Sequence, residues 1–360
     1  MDPPTYLSLK NPHERDTHIT FDEGPHIYTI DGDSSFTSVT SWNHSHFPHF
    51  DADKIIGNMM RSSKWSQSKY FGMTVSEIKK LWSDNGKQAS AAGTKMHYDI
   101  ECFYNDMDVE IEEDCIEWKY FEEFENDHGS KMEPYRTEWM VWDKELKFAG
   151  SIDMIYENDD GTLSIYDWKR CKEIKKSNSF ENATTECISH LPNSNYWHYS
   201  LQLNTYKFLL EKNYGKKIKE MYLVCLHPNN SNKSYLRFKV NNMEKEINDL
   251  MELRKNMLLK TLFKAIDIAL KSAPPPPVYI PDNVCSTVCH VCYREWFENT
   301  ITTFRCQCRE LRLCPKCANE MKEPEEMEHN LVDCNYVSDS DNEDSDNEDS
   351  DNEDSDNKNN

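Results

Sequence analysis

Alternating and helical hydrophobic patterns divide the first 273 residues into strands and helices. From Thr137 to Gly150, apolar and aromatic residues alternate with polar ones, which predicts a β-strand, and a second strand follows it over residues 150–157. The pair Asp160-Gly161 then signals a tight hairpin turn, and the apolar segment 163–169 predicts the returning strand. The two strands that flank this turn must therefore be neighbours in one sheet.

The other predicted elements of this body are mostly helical. Around residues 87–106 the pattern predicts a helix that places His97 and Glu101, four residues apart, on one face. An N-terminal helical region comes before it, and the later elements are a helix from Tyr199 to Leu210, a strand from Glu220 to Leu226 and a long helix over about 242–271. A three-strand meander, a further strand and flanking helices predict an α/β fold with a mixed sheet.

Four consecutive prolines at 274–277 separate this body from the rest of the chain, because they stop a helix and form a stiff spacer. The predicted parts are an α/β domain over 1–273, a proline-rich linker over 274–284, a Cys-rich module over 285–334 and an acidic tail over 335–360. The repeat of Ser-Asp-Asn-Glu-Asp from Ser340 to Asp354 has no apolar residue to bury. We therefore expect the tail to be disordered.

The formal net charge of −23 is unevenly distributed. Residues 338–360 contain eleven Asp and Glu and one Lys, which leaves −13 for the other 337 residues. We interpret the tail as a solubilising segment, with a nucleic-acid mimic or a run of phosphorylation sites as alternatives. The charge of the whole chain therefore argues against nucleic acid as a partner only at first sight.

The sequence also predicts the compartment. No run of about 18 apolar residues occurs, so we expect no membrane-spanning segment. The first residues, MDPPTYLSLKNPHERD, have neither the basic nor the apolar part of a secretory signal. An intracellular, reducing compartment (cytoplasm or nucleus) follows, in which the 13 Cys are thiols or metal ligands rather than disulfides.

Candidate chemistry gathers at the predicted hairpin. Asp153 and Asp167 lie on its two strands and can converge at one end of the sheet. Asp167 and Lys169 are two residues apart on a strand, so their side chains face the same side. Carboxylate oxygens favour Mg²⁺ or Mn²⁺, which activate water and bind phosphate oxygens. The neighbouring Lys can hold that water or stabilise charge on a phosphate.

These residues resemble the signature of the PD-(D/E)XK nuclease superfamily, in its RecB-like and phage lambda-exonuclease-like branch. The match is Gly150-x-x-Asp153 followed by Asp167-Trp168-Lys169, with Gly-x-x-Asp in place of Pro-Asp. Further matches are Gly93-Thr94-x-x-His97-x-x-x-Glu101, Glu138 on the preceding strand, and Gln202-x-x-x-Tyr206 on a later helix. His26-Ile27-Tyr28 and Ser38-Val39-Thr40 are similar to phage and large-DNA-virus members, and the resemblance covers roughly residues 20–230.

The resemblance implies a restriction-endonuclease-like mixed-sheet core and a Mg²⁺- or Mn²⁺-dependent DNA nuclease, specifically an exonuclease, of DNA replication, recombination or repair. Its metal ligands would be His97, Asp153 and Asp167, and Lys169 would position the nucleophilic water. Glu138, Gln202 and Tyr206 would complete the catalytic set. Read from the residues alone, Glu101 and Glu138 can equally be surface charges, and Tyr206 can be plain core.

The expected DNA contacts are largely sequence-independent, because no base-reading element is visible. The basic residues Arg170, Lys172, Lys175 and Lys176 follow Lys169, and together with Lys95 they would form a phosphate-facing patch. A solvated charged face is the alternative interpretation of this run.

The Cys-rich module predicts zinc binding. Two Cys-x-x-Cys pairs, separated by 21 residues, suit a tetrahedral Zn²⁺ site made of Cys289, Cys292, Cys314 and Cys317. Cys306, Cys308, His329 and Cys334 could form a second, interleaved site, and Cys285 could replace either of the last two. The order resembles a RING cross-brace but has Cys308 where a His is usual. An iron–sulfur cluster is the less favoured alternative, because these Cys come in pairs.

This module supports a second functional hypothesis. A zinc knot can dock a protein partner or DNA without chemistry, so the chain could be a non-catalytic or E3-ligase-like interaction protein on an inactive nuclease fold. The presence of every acidic and Lys position argues for the nuclease, because a decayed site would have lost one of them.

Overall fold

The computed structural model describes residues 4–272 and four short strands between 286 and 313. The helices are α1 Tyr6–Lys10, α2 Val39–His44, α3 Ala52–Arg61, α4 Val75–Tyr104, α5 Ile116–Asp127, α6 Asn195–Asn213 and α7 Glu244–Ser272. The strands are β1 Ile19–Asp22, β2 Ile27–Ile30, β3 Thr37–Ser38, β4 Glu133–Asp143, β5 Phe148–Glu157, β6 Leu163–Lys169, β7 Ile218–Cys225 and β8 Leu236–Lys239. The predicted α/β class is confirmed.

Six of these strands form one mixed sheet. Strands β3, β5, β6, β7 and β8 follow one another across it, and β4 pairs with β5. The meander β4–β5–β6 is antiparallel, whereas β7 lies parallel to β6 because α6 makes the crossover between them. The predicted mixed sheet and its hairpin are confirmed, and the helices flank it as expected.

Two aromatic-rich cores cover the two faces of the sheet. On one face α4 contributes Met96, Ile100 and Tyr104, whose spacing of four residues forms a single apolar stripe against α5 and Trp168 of β6. On the other face α6 packs Tyr199, Leu203, Tyr206, Leu209 and Leu210 against the sheet. Helices on both faces bury the strands on both sides, which is why β6 has no exposed residue.

The N-terminal region departs from the helical prediction. Residues 19–30 form the antiparallel hairpin β1–β2, and β3 pairs in parallel with the start of β5. Ile19, Tyr28 and Ile30 pack with Trp142 and Ala149. Each of β1 and β2 has only four residues, and an alternating pattern this short does not distinguish a strand from the helical segments around it.

The predicted strand from Thr137 to Gly150 was wrong at its C-terminal end. β4 ends at Asp143, and a turn at 144–147 separates it from β5, with which it pairs along most of its length. The Asp143 carboxylate accepts a hydrogen bond from the backbone N–H of Leu146, and Lys147 adopts a positive φ of 54°. The side chain of Asp143 thus stabilises a turn that the alternating pattern did not predict.

The chain divides into a larger compact unit that ends at Leu258 and a smaller one that begins at Leu259. In the smaller unit, β9 Ser286–Val288 pairs with β10 Glu295–Phe297, and β11 Thr302–Arg305 pairs with β12 Glu310–Leu313. All eight predicted zinc ligands and the acidic tail lie outside the described residues. Among the helices described, none is both long and apolar enough to cross a membrane.

Candidate active site

Three carboxylates lie in a row across three neighbouring strands. In the β4–β5 register Thr137 is opposite Met154 and Trp139 is opposite Ile152, which brings Glu138 opposite Asp153. In the β5–β6 hairpin Met154 is opposite Tyr166, so the same register continues to Asp153 and Asp167. The hairpin inferred from the sequence therefore brings Asp153 and Asp167 together, and β4 adds Glu138.

The row lies where β5 and β6 separate. β4 pairs with one edge of β5. The other edge of β5 pairs with β3 at residues 148–149 and with β6 at residues 154–157. Between these two stretches no described strand pairs with that edge, and Asp153 lies there. Its Oδ2 accepts a hydrogen bond of 2.9 Å from the backbone N–H of Trp168. A carboxylate thus satisfies a backbone donor that would otherwise pair within the sheet.

Helix α4 brings His97 to the same carboxylates. A capping box between Thr74 and Glu77 begins this helix. His97 Nδ1 lies 3.7 Å from Glu138 Oε1 and 3.5 Å from Asp153 Oδ2. One ligand atom each from His97, Glu138 and Asp153 can be chosen so that all three lie within 4.8 Å of one another, a group able to hold a metal ion.

The backbone of Glu138 is unusual for a strand residue. Its φ is +40°, in the left-handed region that non-glycine residues seldom occupy. The side chain accepts a hydrogen bond of 2.8 Å from the Ser151 hydroxyl and contacts His97. The strained conformation therefore coincides with the position of an acid in the site.

The charges of the site shift one another's pKa values. Burial and the nearby charge of Asp167 raise the pKa of Asp153 to about 7. Burial and the charge of Glu138 raise the pKa of Glu101 to about 7. Burial alone would lower the pKa of His97, but the negative charges of Asp153 and Glu138 outweigh it and raise this pKa to about 9. Without a cation, the site therefore holds protons near neutral pH.

Lys169 and Asp167 form the second half of the site. Lys169 Nζ lies 3.0 Å from Asp167 Oδ2 and 4.7 Å from the centre of the Tyr199 ring. The side chain of Asp167 is 3% exposed, so the pair is shielded from bulk water and its attraction is stronger than at a surface. Asp167 is not among the three residues with closely spaced ligand atoms, and its charge acts on Asp153 instead.

Gln202 and Tyr206 lie one helical turn apart on α6. Gln202 Nε2 is 3.4 Å from Thr40 Oγ1 and 3.5 Å from the Tyr206 hydroxyl oxygen, both at the long end of hydrogen bonding. Tyr206 is buried, and the charges of Asp153 and Asp167 help burial to raise its pKa well above the usual value. Tyr206 is therefore both a core residue and a neighbour of the carboxylates.

Gly150 is needed for this arrangement. A Cβ added at Gly150 would lie 2.8 Å from Tyr206 Cε1 and 2.9 Å from its hydroxyl oxygen. We expect Gly150→Ala to lower the free energy of unfolding by about 1–3 kcal/mol, because the buried Tyr206 ring must shift to accommodate the new Cβ. Thermal unfolding measures this. Gly93→Ala is the control, since its Cβ meets nothing within 4 Å and should leave the helix unchanged or slightly more stable. Equal melting temperatures for the two variants would contradict the expectation.

Tyr28 is a site residue for which sequence reasoning assigned no role. Its side chain lies beside the backbone of Ser151, and burial, together with the charges of Glu138 and Asp153, raises its pKa. The hydroxyl thus occupies the open edge of β5 beside the carboxylates. The alternation in β2 could have placed Tyr28 on the inner face, but nothing local in the sequence indicates this long-range contact.

The predicted phosphate-facing patch is partly engaged within the protein. Arg170 pairs with Glu117 at 2.7 Å, and Lys95 pairs with Asp99 at 2.7 Å. Lys175 pairs with Glu173, and Lys176 lies over the Tyr196 ring. These partners reduce the charge that the patch can offer to a phosphate.

Comparisons with known proteins give one informative match. Residues 75–318, more than half of the chain, match the family model of the PD-(D/E)XK nuclease superfamily. No curated protein matches. Among solved structures, a candidate exonuclease from Eubacterium rectale aligns with 9% identity over 63% of this chain and 80% of that chain. The TM-score of that alignment is 0.29, and we base no argument on it.

Proposed function

The chain belongs to the PD-(D/E)XK nuclease superfamily, and from that premise we propose that it is a Mg²⁺- or Mn²⁺-dependent nuclease that hydrolyses phosphodiester bonds in DNA. The observation that carries the proposal is the row Glu138–Asp153–Asp167 with Lys169 beside it and His97 within 4 Å of two of its members. The similarity to the lambda-exonuclease-like branch supports an exonuclease.

The residues fit a divalent cation. Carboxylate oxygens and one imidazole nitrogen are hard or borderline donors, which suit Mg²⁺ or Mn²⁺. The carboxylates of Asp153 and Asp167 lie close enough for one to raise the pKa of the other, and a cation would relieve this repulsion. We propose that His97, Asp153 and Asp167 hold the cation and that Glu138 supports it. When bound, the cation polarises the phosphate and makes a neighbouring water more acidic.

The protein groups then orient the reaction. In hydrolysis, the oxygen of a water attacks the phosphorus, the bond to the leaving oxygen breaks, and the leaving oxygen takes a proton. Lys169, held by Asp167 and by the Tyr199 ring, orients the attacking water and stabilises negative charge on the phosphate. Tyr206 maintains the position of β5 relative to α6 through its contact with Gly150, and Gln202 lies against the Tyr206 hydroxyl and Thr40.

The test of the proposal is cleavage by the purified full chain. We expect Mg²⁺ or Mn²⁺ to support release of nucleotides from end-labelled linear duplex DNA and EDTA to abolish it. A covalently closed circle of the same sequence should remain intact if the enzyme is an exonuclease. Cleavage of the circle would replace exonuclease by endonuclease, and inactivity on every DNA with both cations would overturn the proposal.

Cation binding should depend on pH because protons compete for the same site. The pKa values of about 7 for Asp153 and about 9 for His97 mean that both carry protons at pH 6. The affinity for Mn²⁺ should therefore rise between pH 6 and pH 9, by up to about tenfold per pH unit for each proton displaced. Isothermal titration calorimetry in buffers of different ionisation enthalpy would count these protons. An affinity that is flat across this range would contradict the site.

For residues 285–334 we propose structural zinc and a docking role for a protein partner or DNA. The support is the spacing of the Cys pairs in the sequence. Native mass spectrometry would give the number of bound metals and distinguish zinc from iron. Discharge of ubiquitin by the full chain without cleavage of DNA would favour the interaction protein over the nuclease.

A further inference from the structure

A basic surface that the proposed site does not use lies on the helices before His97. Residues 52–95, called the helical arm below, contain eight Lys and Arg and three Asp and Glu. Their net charge of +5 contrasts with −28 for the rest of the chain. Such a segregation of positive charge in an acidic protein favours a polyanionic partner at this surface.

The helical arm consists of α3 and most of α4, with Ile56 and Ile78 as the buried side chains of this fully described segment. From residue 79 to residue 95, every residue of α4 is exposed or half-buried, which amounts to about 26 Å of helix. Trp82 Nε1 donates a 2.9 Å hydrogen bond to the Tyr70 hydroxyl, and Lys79 pairs with Asp53 at 2.9 Å. These contacts hold α4 and the segment before it together.

Several charges of the helical arm are available for a ligand. Within the helical arm, all of which is described, five exposed basic residues make no ion pair: Lys54, Arg61, Lys69, Lys80 and Lys87. Arg61 donates a hydrogen bond to Asn58 and Lys69 lies over the Tyr70 ring. Lys80 and Lys87 are seven residues apart and so lie on the same side of α4. In the predicted patch near Lys169, by contrast, Arg170 is paired with Glu117, and Lys95, which belongs to both the patch and the helical arm, is paired with Asp99.

An exposed aromatic ring indicates which form of nucleic acid fits. Phe71 is 58% exposed, follows Lys69 closely in the chain and meets Trp65 edge-on with ring centres 6.0 Å apart. Exposed rings beside cationic groups are the combination that binds single strands, because unpaired bases stack while phosphates are neutralised. The bases of a duplex are already stacked and cannot use Phe71 in this way.

We propose that the helical arm binds a single-stranded segment of the DNA substrate and leads it along α4 to the site at His97. The inference rests on the proposed function, because it takes the substrate to be DNA. Continuity of α4 supports it: ten residues, about 15 Å of unbroken helix, join Lys87 to His97. Phosphate contacts at Lys80 and Lys87 therefore have a fixed distance from the carboxylates.

The test compares two double variants that lose the same charge. Lys80→Gln with Lys87→Gln changes the helical arm, and Lys144→Gln with Lys217→Gln changes exposed lysines outside it. Binding of a fluorescein-labelled single strand of about 30 nucleotides is measured by anisotropy in EDTA, at several salt concentrations. We expect the arm variant to bind about 10- to 30-fold more weakly at 0.1 M salt with a smaller salt dependence, and the control to change little.

A second variant tests the stacking contact. Phe71→Ala should weaken binding of the single strand about tenfold and leave binding of a blunt duplex unchanged. Equal losses in the arm and control double variants, or an equal loss on duplex with Phe71→Ala, would overturn the inference. Since these measurements need no cleavage, they remain informative if the wild-type chain hydrolyses no DNA. If the Lys80→Gln, Lys87→Gln variant bound the single strand as tightly as the wild type and cleaved DNA normally, the inference about the helical arm would be wrong and the nuclease proposal would stand.

Discussion

Asp153→Asn should abolish nearly all nuclease activity while the protein stays folded. The variant keeps the shape of the side chain and can still accept the hydrogen bond from the Trp168 N–H. It removes the central charge of the carboxylate row, so cation binding and the several kcal/mol of charge stabilisation that depend on it are lost. We expect kcat to fall about 10³-fold, since each 1.36 kcal/mol corresponds to a factor of ten.

The melting temperature of Asp153→Asn should stay the same or rise, although its activity falls. The fold raises the pKa of Asp153 through burial and the charge of Asp167, so the ionised carboxylate is destabilising near neutral pH. Removing that charge should keep or raise the melting temperature in cation-free buffer. Asp159→Asn, at an exposed position of the hairpin turn, is the matched control and should alter neither quantity. If Asp153→Asn retained more than a tenth of the wild-type activity, the assignment of Asp153 as a catalytic residue would be wrong.

Lys169→Ala should give a comparable loss of activity by a different route. Its ammonium lies beside Asp167 and over the Tyr199 ring, where it can reach a water or a phosphate oxygen but cannot ligate a cation. We expect kcat to fall about 10²- to 10³-fold, the usual effect of removing one preorganised group that stabilises developing charge. Mn²⁺ should still bind, because loss of a neighbouring positive charge does not remove a ligand.

Paired measurements of activity and cation affinity separate the two roles. Asp153→Asn should lose both activity and affinity for Mn²⁺, whereas Lys169→Ala should lose activity and keep its affinity for Mn²⁺. Lys219→Ala is a control for the loss of a positive charge, since Lys219 is half-exposed on β7 and pairs with Asp160. Loss of Mn²⁺ affinity in Lys169→Ala would show that the residue maintains the site rather than acting on the substrate.

The meander and the position of its acids were accessible from the sequence because they depend on local rules. An Asp-Gly turn fixes the register of a hairpin, and the register decides that Asp153 faces Asp167. Alternation then puts Lys169 on the side of Asp167. The same reasoning did not locate the turn at residues 144–147. The hydrogen bond from the Leu146 N–H to the Asp143 carboxylate stabilises this turn, and an alternating pattern does not predict such a bond.

Contacts between distant segments could not be predicted in this way. Tyr28 reaches Ser151 across more than a hundred residues, and the pairing of Arg170 with Glu117 depends on how α5 packs. Hydrophobic periodicity states which side of an element is buried but not which other element covers it. The identity of the third acid also depended on resemblance, because nothing in the local pattern of β4 distinguishes Glu138 from an exposed strand residue.

The left-handed backbone at Glu138 has a consequence for how this protein can change over time. A glycine there would adopt φ = +40° freely, and the present residue costs about 1–2 kcal/mol relative to it. Selection for stability alone would favour the glycine, and selection for the carboxylate opposes it. If the carboxylate of Glu138 were no longer needed for activity, replacement by glycine would increase the stability of the fold. Retention of glutamate here is therefore expected only while the carboxylate has a function.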